Sequence, residues 1–289
     1  MLIGFIQKLR RGATARACIV ALTSGLLFVA ADSIAQQREA ATPLSIGETF
    51  TIRSQVLGET RRINVYMPAV YTARDKLRLP VLYMPDGGLA EDFLHIAGLL
   101  QVSVDNMTMR PFILVGIENT QRRRDMTGPT EVAQDKAIAP VVGGSAAFRR
   151  FIRTELMPQV RDRYRTTQEN AIVGESLAGL FVVETLLLEP DLFDTGIAID
   201  PSLWWNDSKL IKDTEPLLTG KALGNKTLYL VASGESGEAE MMQKFSSALT
   251  KANNAGMHWH VESMPEENHG TVYQPAALKA FRTVFKPAS

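Results

Sequence analysis

From Pro80 onward the hydrophobic positions of this chain fall into short, nearly unbroken runs: Pro80 to Met84, Pro111 to Ile117, Ala171-Ile172-Val173, Gly196 to Ile199 and Leu228 to Ala232. Runs of this length without polar alternation predict strands buried on both faces, the pattern of a parallel sheet covered by helices. Longer mixed stretches lie between and after them, at Ala90 to Gln101, Ala146 to Tyr164, Leu180 to Glu189, Ala239 to Asn253 and Tyr273 to Phe285, and read as helices. Upstream, Thr49 to Leu57 and Arg61 to Met67 alternate in polarity around Gly58-Glu59-Thr60, which predicts an antiparallel hairpin. Met257 to Met264 adds a last strand. The predicted class is therefore α/β: about eight strands in one mostly parallel sheet, with right-handed crossovers and helices on both faces.

The segment Thr120 to Gly144, rich in Arg, Gly, Pro and Thr, is too long for a plain connection and is expected to shape a cleft. The N-terminus has a different character. Lys8, Arg10, Arg11 and Arg16 precede the apolar run Ala17 to Ala31, and Ser33-Ile34-Ala35 supplies small residues for cleavage. Residues 1–35 thus read as an export signal, with an uncleaved anchor as the alternative, and residues 36–48 as a polar linker to a catalytic domain at 49–289. Either form places the domain outside the cytoplasm, periplasmic or secreted. Cys18, the single cysteine, falls inside that segment, so neither a disulfide nor a cysteine nucleophile is expected in the mature protein. Lys plus Arg equal Asp plus Glu at 31 each, which gives no reason to expect a nucleic-acid partner.

The most specific motif is Ala171-Ile172-Val173-Gly174-Glu175-Ser176-Leu177-Ala178-Gly179. It sets a serine between an apolar strand and an apolar helix, flanked by small residues, as in the nucleophile elbow of α/β-hydrolases. Ala178 stands at the fifth position, where Gly is usual, with Gly179 following. Of the four histidines, His269 lies in the polar turn Met264 to Thr271 between the last strand and the last helix. The loop Ser233 to Glu238, after the strand ending at Ala232, offers the carboxylates Glu235 and Glu238. Serine, acid and histidine then follow in α/β-hydrolase order.

These residues imply acyl transfer: His269 takes the Ser176 proton as the hydroxyl attacks an ester carbonyl, and later returns it to the leaving alcohol. Glu238, or alternatively Glu235, is expected to orient the imidazole, and a Ser-His dyad is the remaining option. Oxyanion donors are expected at the Leu177 amide and, after the strand ending at Met84, at Gly88 with Gly87 as its neighbour. Arg122-Arg123-Arg124 can bring one guanidinium to the cleft mouth, and Trp204-Trp205 can form an aromatic wall. His95, His258 and His260 read as structural, since the latter two lack an evident third ligand for a metal. No cofactor is required.

Together, Asp86-Gly87-Gly88, Gly116 to Asn119 with Arg124 to Thr127, Gly174 to Phe181, Pro201 to Trp205 and Pro265 to Gly270 resemble the esterase D-like α/β-hydrolases that include periplasmic siderophore (enterobactin and salmochelin trilactone) esterases. The resemblance runs over about residues 45 to 286. It implies ester hydrolysis by Ser176 and His269, a small-molecule ester substrate such as a ferric catecholate siderophore, no stable protein partner, and Arg124, Trp204 and Trp205 near the ligand. Two departures stand out: many members have His before the serine and Gly at the fifth elbow position, where this chain has Glu175 and Ala178. A carboxylate beside the nucleophile disfavours an anionic substrate. An acyltransferase or feruloyl-type esterase on the same fold, and a ligand-binding protein without turnover, are the alternatives.

Overall fold

The apolar runs become neighbouring strands of a single sheet. The computed structural model describes residues 41–138, 140–252 and 256–287, so the expected leader lies outside the described residues. The strands are β1 (Glu48–Ser54), β2 (Glu59–Tyr66), β3 (Leu79–Pro85), β4 (Ile113–Ile117), β5 (Thr166–Glu175), β6 (Thr195–Ile199), β7 (Thr227–Ser233) and β8 (His258–Met264), in spatial order β1-β2-β4-β3-β5-β6-β7-β8. The β1–β2 hairpin and its junction with β4 are antiparallel, and every later pair is parallel. This is the α/β-hydrolase fold.

Ten helices are described: α1 (Ala69–Thr72), α2 (Phe93–Asp105), α3 (Arg122–Met126), α4 (Ala133–Ile138), α5 (Ser145–Phe151), α6 (Met157–Arg163), α7 (Leu177–Leu188), α8 (Trp205–Leu218), α9 (Glu238–Lys251) and α10 (Tyr273–Val284). The expected helix over 146–164 is real but is interrupted between α5 and α6 by a π-helical turn at Ile152–Leu156. Helix α8 was not legible in the sequence. Its first turn is wound left-handed at Asn206, Asp207 and Ser208, and Pro216 lies inside it, so the usual apolar period is broken at both ends.

Two cores form, one on each face of the sheet. Helices α2 and α10 bring Phe93, Ile96, Ala276 and Phe281 against the face presented by Leu82, Leu114, Val173 and Val231. On the other face, residues of α5 to α9, among them Phe148, Phe181, Trp205 and Phe245, pack with Tyr83, Val115, Ile172 and Leu230. Helix α7 is apolar nearly all round because it is buried nearly all round.

A buried ionic cluster ties the hairpin to the segment after β4. Arg61, fully buried, pairs with Asp125 and, at 2.8 Å, with Glu59. Arg124 closes the cluster at 2.7 Å from both Glu59 and Asp125. Asp125 is 1 % exposed, so its charge depends on these two guanidinium groups. The cluster fixes α3, and α3 in turn positions its neighbour Arg122.

Candidate active site

Strand β5 ends at Glu175 and α7 begins at Leu177, which leaves Ser176 alone to make the turn. Its backbone is forced to φ 60°, ψ −121°, a conformation that costs on the order of 1–3 kcal/mol for a non-glycine residue. The close approach of strand and helix explains the small neighbours. A Cβ at Gly174 would lie 2.6 Å from the Ala178 carbonyl carbon and 2.7 Å from the Ala178 Cβ. Gly179 is tight against β6, where a Cβ would lie 3.0 Å from the Ile199 carbonyl oxygen. Methyl is therefore tolerated at position 178 itself, and the departure from Gly there is accommodated by Gly174 opposite.

The Ser176 hydroxyl lies 3.1 Å from His269 Nε2, and His269 Nδ1 lies 2.7 Å from Asp200 Oδ2. Asp200 is the residue after β6, held at φ 45°. It accepts hydrogen bonds from the Ser233 amide (2.8 Å) and the Ser233 hydroxyl (2.9 Å). Burial works against its charge, but the bonds from His269 and Ser233 outweigh it and hold the carboxyl below the usual aspartate range.

The expectation of Glu238, or else Glu235, as the carboxylate on the imidazole is corrected by this geometry. Glu235 does meet His269, but through the backbone: its Oε1 accepts the His269 amide at 3.2 Å. Glu238 begins α9, and burial together with the nearby Asp200 charge pushes its carboxyl up to about 7. A buried carboxyl beside an existing carboxylate is displaced toward its neutral form, which suits it poorly to balance an imidazolium.

A second carboxylate faces the other ring nitrogen. Glu175 Oε1 stands 3.2 Å from His269 Nε2, on the same side as the serine hydroxyl. The Asp200 bond first, then the Glu175 charge, raise the ring to about 9 against partial burial. Burial lifts Glu175 itself to about 7, opposed by His269 and Arg122.

The cleft over this constellation has a volume of about 640 Å³ and is lined by Asp92, His95, Arg122, Glu175, Ser176, His269, Gly270, Thr271, Tyr273 and Gln274. The cation of the arginine run that reaches it is Arg122, not Arg124, whose guanidinium is committed to Glu59 and Asp125. Arg122 is itself held in a two-bond pair with Asp86, at 2.7 and 2.9 Å. The tryptophans do not line the cleft. Trp205 is buried, with its indole N–H donated to the Gly128 carbonyl at 3.0 Å, and Trp204, partly exposed, lies tilted by 57° against it with the ring centroids 6.0 Å apart.

Of the expected oxyanion donors, Leu177 follows Ser176 at the first position of α7. The Gly88 amide is engaged: it donates to Glu91 Oε2 at 2.7 Å while the Glu91 amide donates back to the Gly88 carbonyl at 3.0 Å, a reciprocal cap. Gly87 donates to the Ile117 carbonyl at 3.0 Å and is thereby bound to β4.

Similarity to known proteins agrees with this architecture. A stretch of 192 residues is 30% identical to the Ferri-bacillibactin esterase BesA of Bacillus subtilis, covering 61% of this chain and 66% of that protein. The Siderophore triacetylfusarinine C esterase of Aspergillus fumigatus is 28% identical over 201 residues, covering 65% of this chain and 66% of its own length. The matched stretches thus span just under two thirds of these relatives. An IroE-like serine hydrolase from Shewanella oneidensis superposes with a TM-score of 0.76 at 27% identity, covering 83% of this chain and 80% of that one. The family described as "Putative esterase" matches residues 54–282, and this chain belongs to it.

Proposed function

We propose that this protein is a serine esterase that hydrolyses a siderophore ester through an acyl-enzyme. The observation that carries the reading is the continuous relay from Ser176 Oγ through His269 to Asp200, at 3.1 and 2.7 Å, at the mouth of a cleft. In its neutral form His269 accepts the serine proton at Nε2 as Oγ attacks the carbonyl carbon. Asp200 keeps the other proton on Nδ1 and stabilises the imidazolium that forms. The tetrahedral oxyanion is received by the Leu177 amide and by the Gly88 amide once Glu91 gives it up, each donor contributing about 3 kcal/mol in the transition state. The imidazolium then protonates the leaving alcohol, and water, activated by the same ring, releases the acid.

The siderophore assignment rests on the names of the relatives, several of which are siderophore esterases, and on a cleft wide enough for a bulky ester. Arg122, paired with Asp86, is the guanidinium that lines it. The leader-like segment 1–35 supports an exported protein, periplasmic or secreted.

The test is hydrolysis of p-nitrophenyl butyrate and of an iron-loaded catecholate trilactone by the full chain and by Ser176→Ala, together with labelling by a fluorophosphonate probe. Serine-dependent labelling and turnover of the trilactone are expected. Labelling with turnover of the simple ester alone keeps the nucleophile and removes the trilactone, and no labelling at all refutes the enzyme. Transfer to an added alcohol in preference to water would instead favour the acyltransferase reading.

A further inference from the structure

The floor of the cleft is more acidic than an esterase mechanism requires. Besides Asp200, three carboxylates belong to it or border it: Glu175 and Asp92 line it, and Asp86 stands behind Arg122. Two cations oppose them. Arg122 is already neutralised by Asp86 through two hydrogen bonds, and His269 must be neutral to act as a base. When the serine is ready to react, Glu175 therefore has no cation of its own, and Asp92 faces only the His95 ring, whose Nε2 lies 3.9 Å from its Oδ1. Burial lifts Asp92 to about 6, with Asp86 adding to the effect and Arg122 opposing it.

A second, independent feature lies in the same wall. Tyr273 opens α10 and is 9 % exposed, and its hydroxyl is buried with no hydrogen-bond partner among the described residues. The neighbouring His95 ring, edge-on to Tyr273 at 4.8 Å, likewise leaves Nε2 buried and unbonded. Burial and the charges of Asp92, Asp86 and Glu175 hold the tyrosine firmly protonated. Its oxygen can still accept a hydrogen bond. Orphaned buried polar atoms are uncommon in folded proteins, and the Tyr273 hydroxyl beside the cleft carboxylates lacks a hydrogen-bonding partner that a ligand in the cleft can supply.

We propose that Asp92, Glu175 and Tyr273 form a subsite for a protonated amine carried by the ester substrate. A protonated amine supplies one positive charge for the two carboxylates and an N–H donor for the phenolic oxygen. This inference rests on the serine-esterase reading and narrows its substrate: among esters of equal size, those bearing a protonated amine are preferred. The same binding event draws the Glu175 carboxylate away from His269 Nε2, leaving that nitrogen to Ser176.

The test uses three thiobutyrate esters of equal size whose leaving groups are N,N-dimethylcysteamine (cationic), 3-methylbutanethiol (neutral) and 3-mercaptopropionate (anionic), with release followed by a thiol reagent. In the full chain at pH 7.5, kcat/KM divided by each ester's uncatalysed hydroxide hydrolysis rate is expected to favour the cationic over the neutral ester at least tenfold, and the anionic ester to be poorer still. Asp92→Asn and Tyr273→Phe should each compress the cationic-to-anionic ratio at least fivefold, a readout that general loss of activity would not move. Equal rates for the three esters overturn the subsite while leaving the esterase intact. To keep the two readings separable, calorimetric binding of N-[2-(dimethylamino)ethyl]butanamide and of N-(3-methylbutyl)butanamide to Ser176→Ala needs no turnover. Tighter binding of the amine supports the subsite even if no ester is cleaved, and equal binding or none refutes it.

Discussion

Replacing Glu175 by Gln isolates the effect of a carboxylate on the face of His269 that meets Ser176. The substitution preserves shape but removes a negative charge 3.2 Å from His269 Nε2. Because the ring is 42 % exposed, the interaction is weighed near the aqueous limit. Two unit charges at that distance are worth about 1.3 kcal/mol at the dielectric of water, or about one pH unit. His269 should then fall from about 9 to about 8. The base acts in its neutral form, so activity rises with pH through this value, and the variant should rise earlier. At pH 7.5 the neutral fraction grows from roughly 3% to roughly 24%, an increase of about eightfold in kcat/KM for a neutral ester. Below about pH 7, where Glu175 in the parent is itself neutralised, the advantage should shrink. The assay is a kcat/KM profile from pH 6 to 10 on p-nitrophenyl butyrate, with the His269 ring titrated by NMR in parallel. A midpoint that stays put or moves upward would refute the reasoning and would show that Glu175 does not hold the imidazolium.

Asp200→Asn should lower kcat about 10³-fold or more while leaving fluorophosphonate labelling detectable on long incubation, because the imidazole loses its orienting charge; Glu238→Gln should change kcat by less than about threefold, and the two are compared in one steady-state assay. Arg61→Met removes a fully buried guanidinium from Asp125 and Glu59. Arg124 still pairs with both carboxylates, so the loss is expected near the lower end of the range for a broken buried pair, about 3 kcal/mol, read from urea unfolding. Gly174→Ala drives a methyl group into the Ala178 backbone, which cannot move aside without displacing α7, and should cost about 1–3 kcal/mol in the same unfolding experiment and reduce serine labelling.

The strands were legible because burial on both faces leaves one reading of a short apolar run, and the elbow because its small residues answer a local steric demand that the sequence states directly. Ser176 and His269 meet as their placement after β5 and β8 implies. What stayed hidden depends on long-range partners. Arg122 and Arg124 are two residues apart in an arginine run, and only the Glu59–Arg61 hairpin decides that Arg124 is consumed by a buried cluster while Arg122 pairs with Asp86 in the cleft. Trp204 and Trp205 look equivalent in sequence, yet the carbonyl of Gly128 captures one indole and buries it. Gly88 carries the expected amide, but the carboxylate of Glu91, three residues on, claims it.

Asp200 shows most clearly how topology overrides a chain-order argument. Acids after β6 and after β7 both satisfy the order serine, acid, histidine, and the β7 loop offered two glutamates, so it drew the assignment. The sheet decides otherwise: β6 is the immediate neighbour of β5, whereas β7 lies one strand further from Ser176. Adjacent strands are about 4.8 Å apart, so a residue at the tip of β6 begins nearer to the serine by that spacing. Asp200 uses this proximity with a short, stiff side chain anchored by Ser233 from the very strand that was expected to supply the acid. Two hydrogen bonds from that residue fix the carboxylate before the histidine arrives, which the longer side chain of a glutamate in the loop before α9 would have to achieve at the expense of side-chain entropy. The contribution of β7 to the relay is thus a pair of donors, and its glutamates are left to shape the charge around the site.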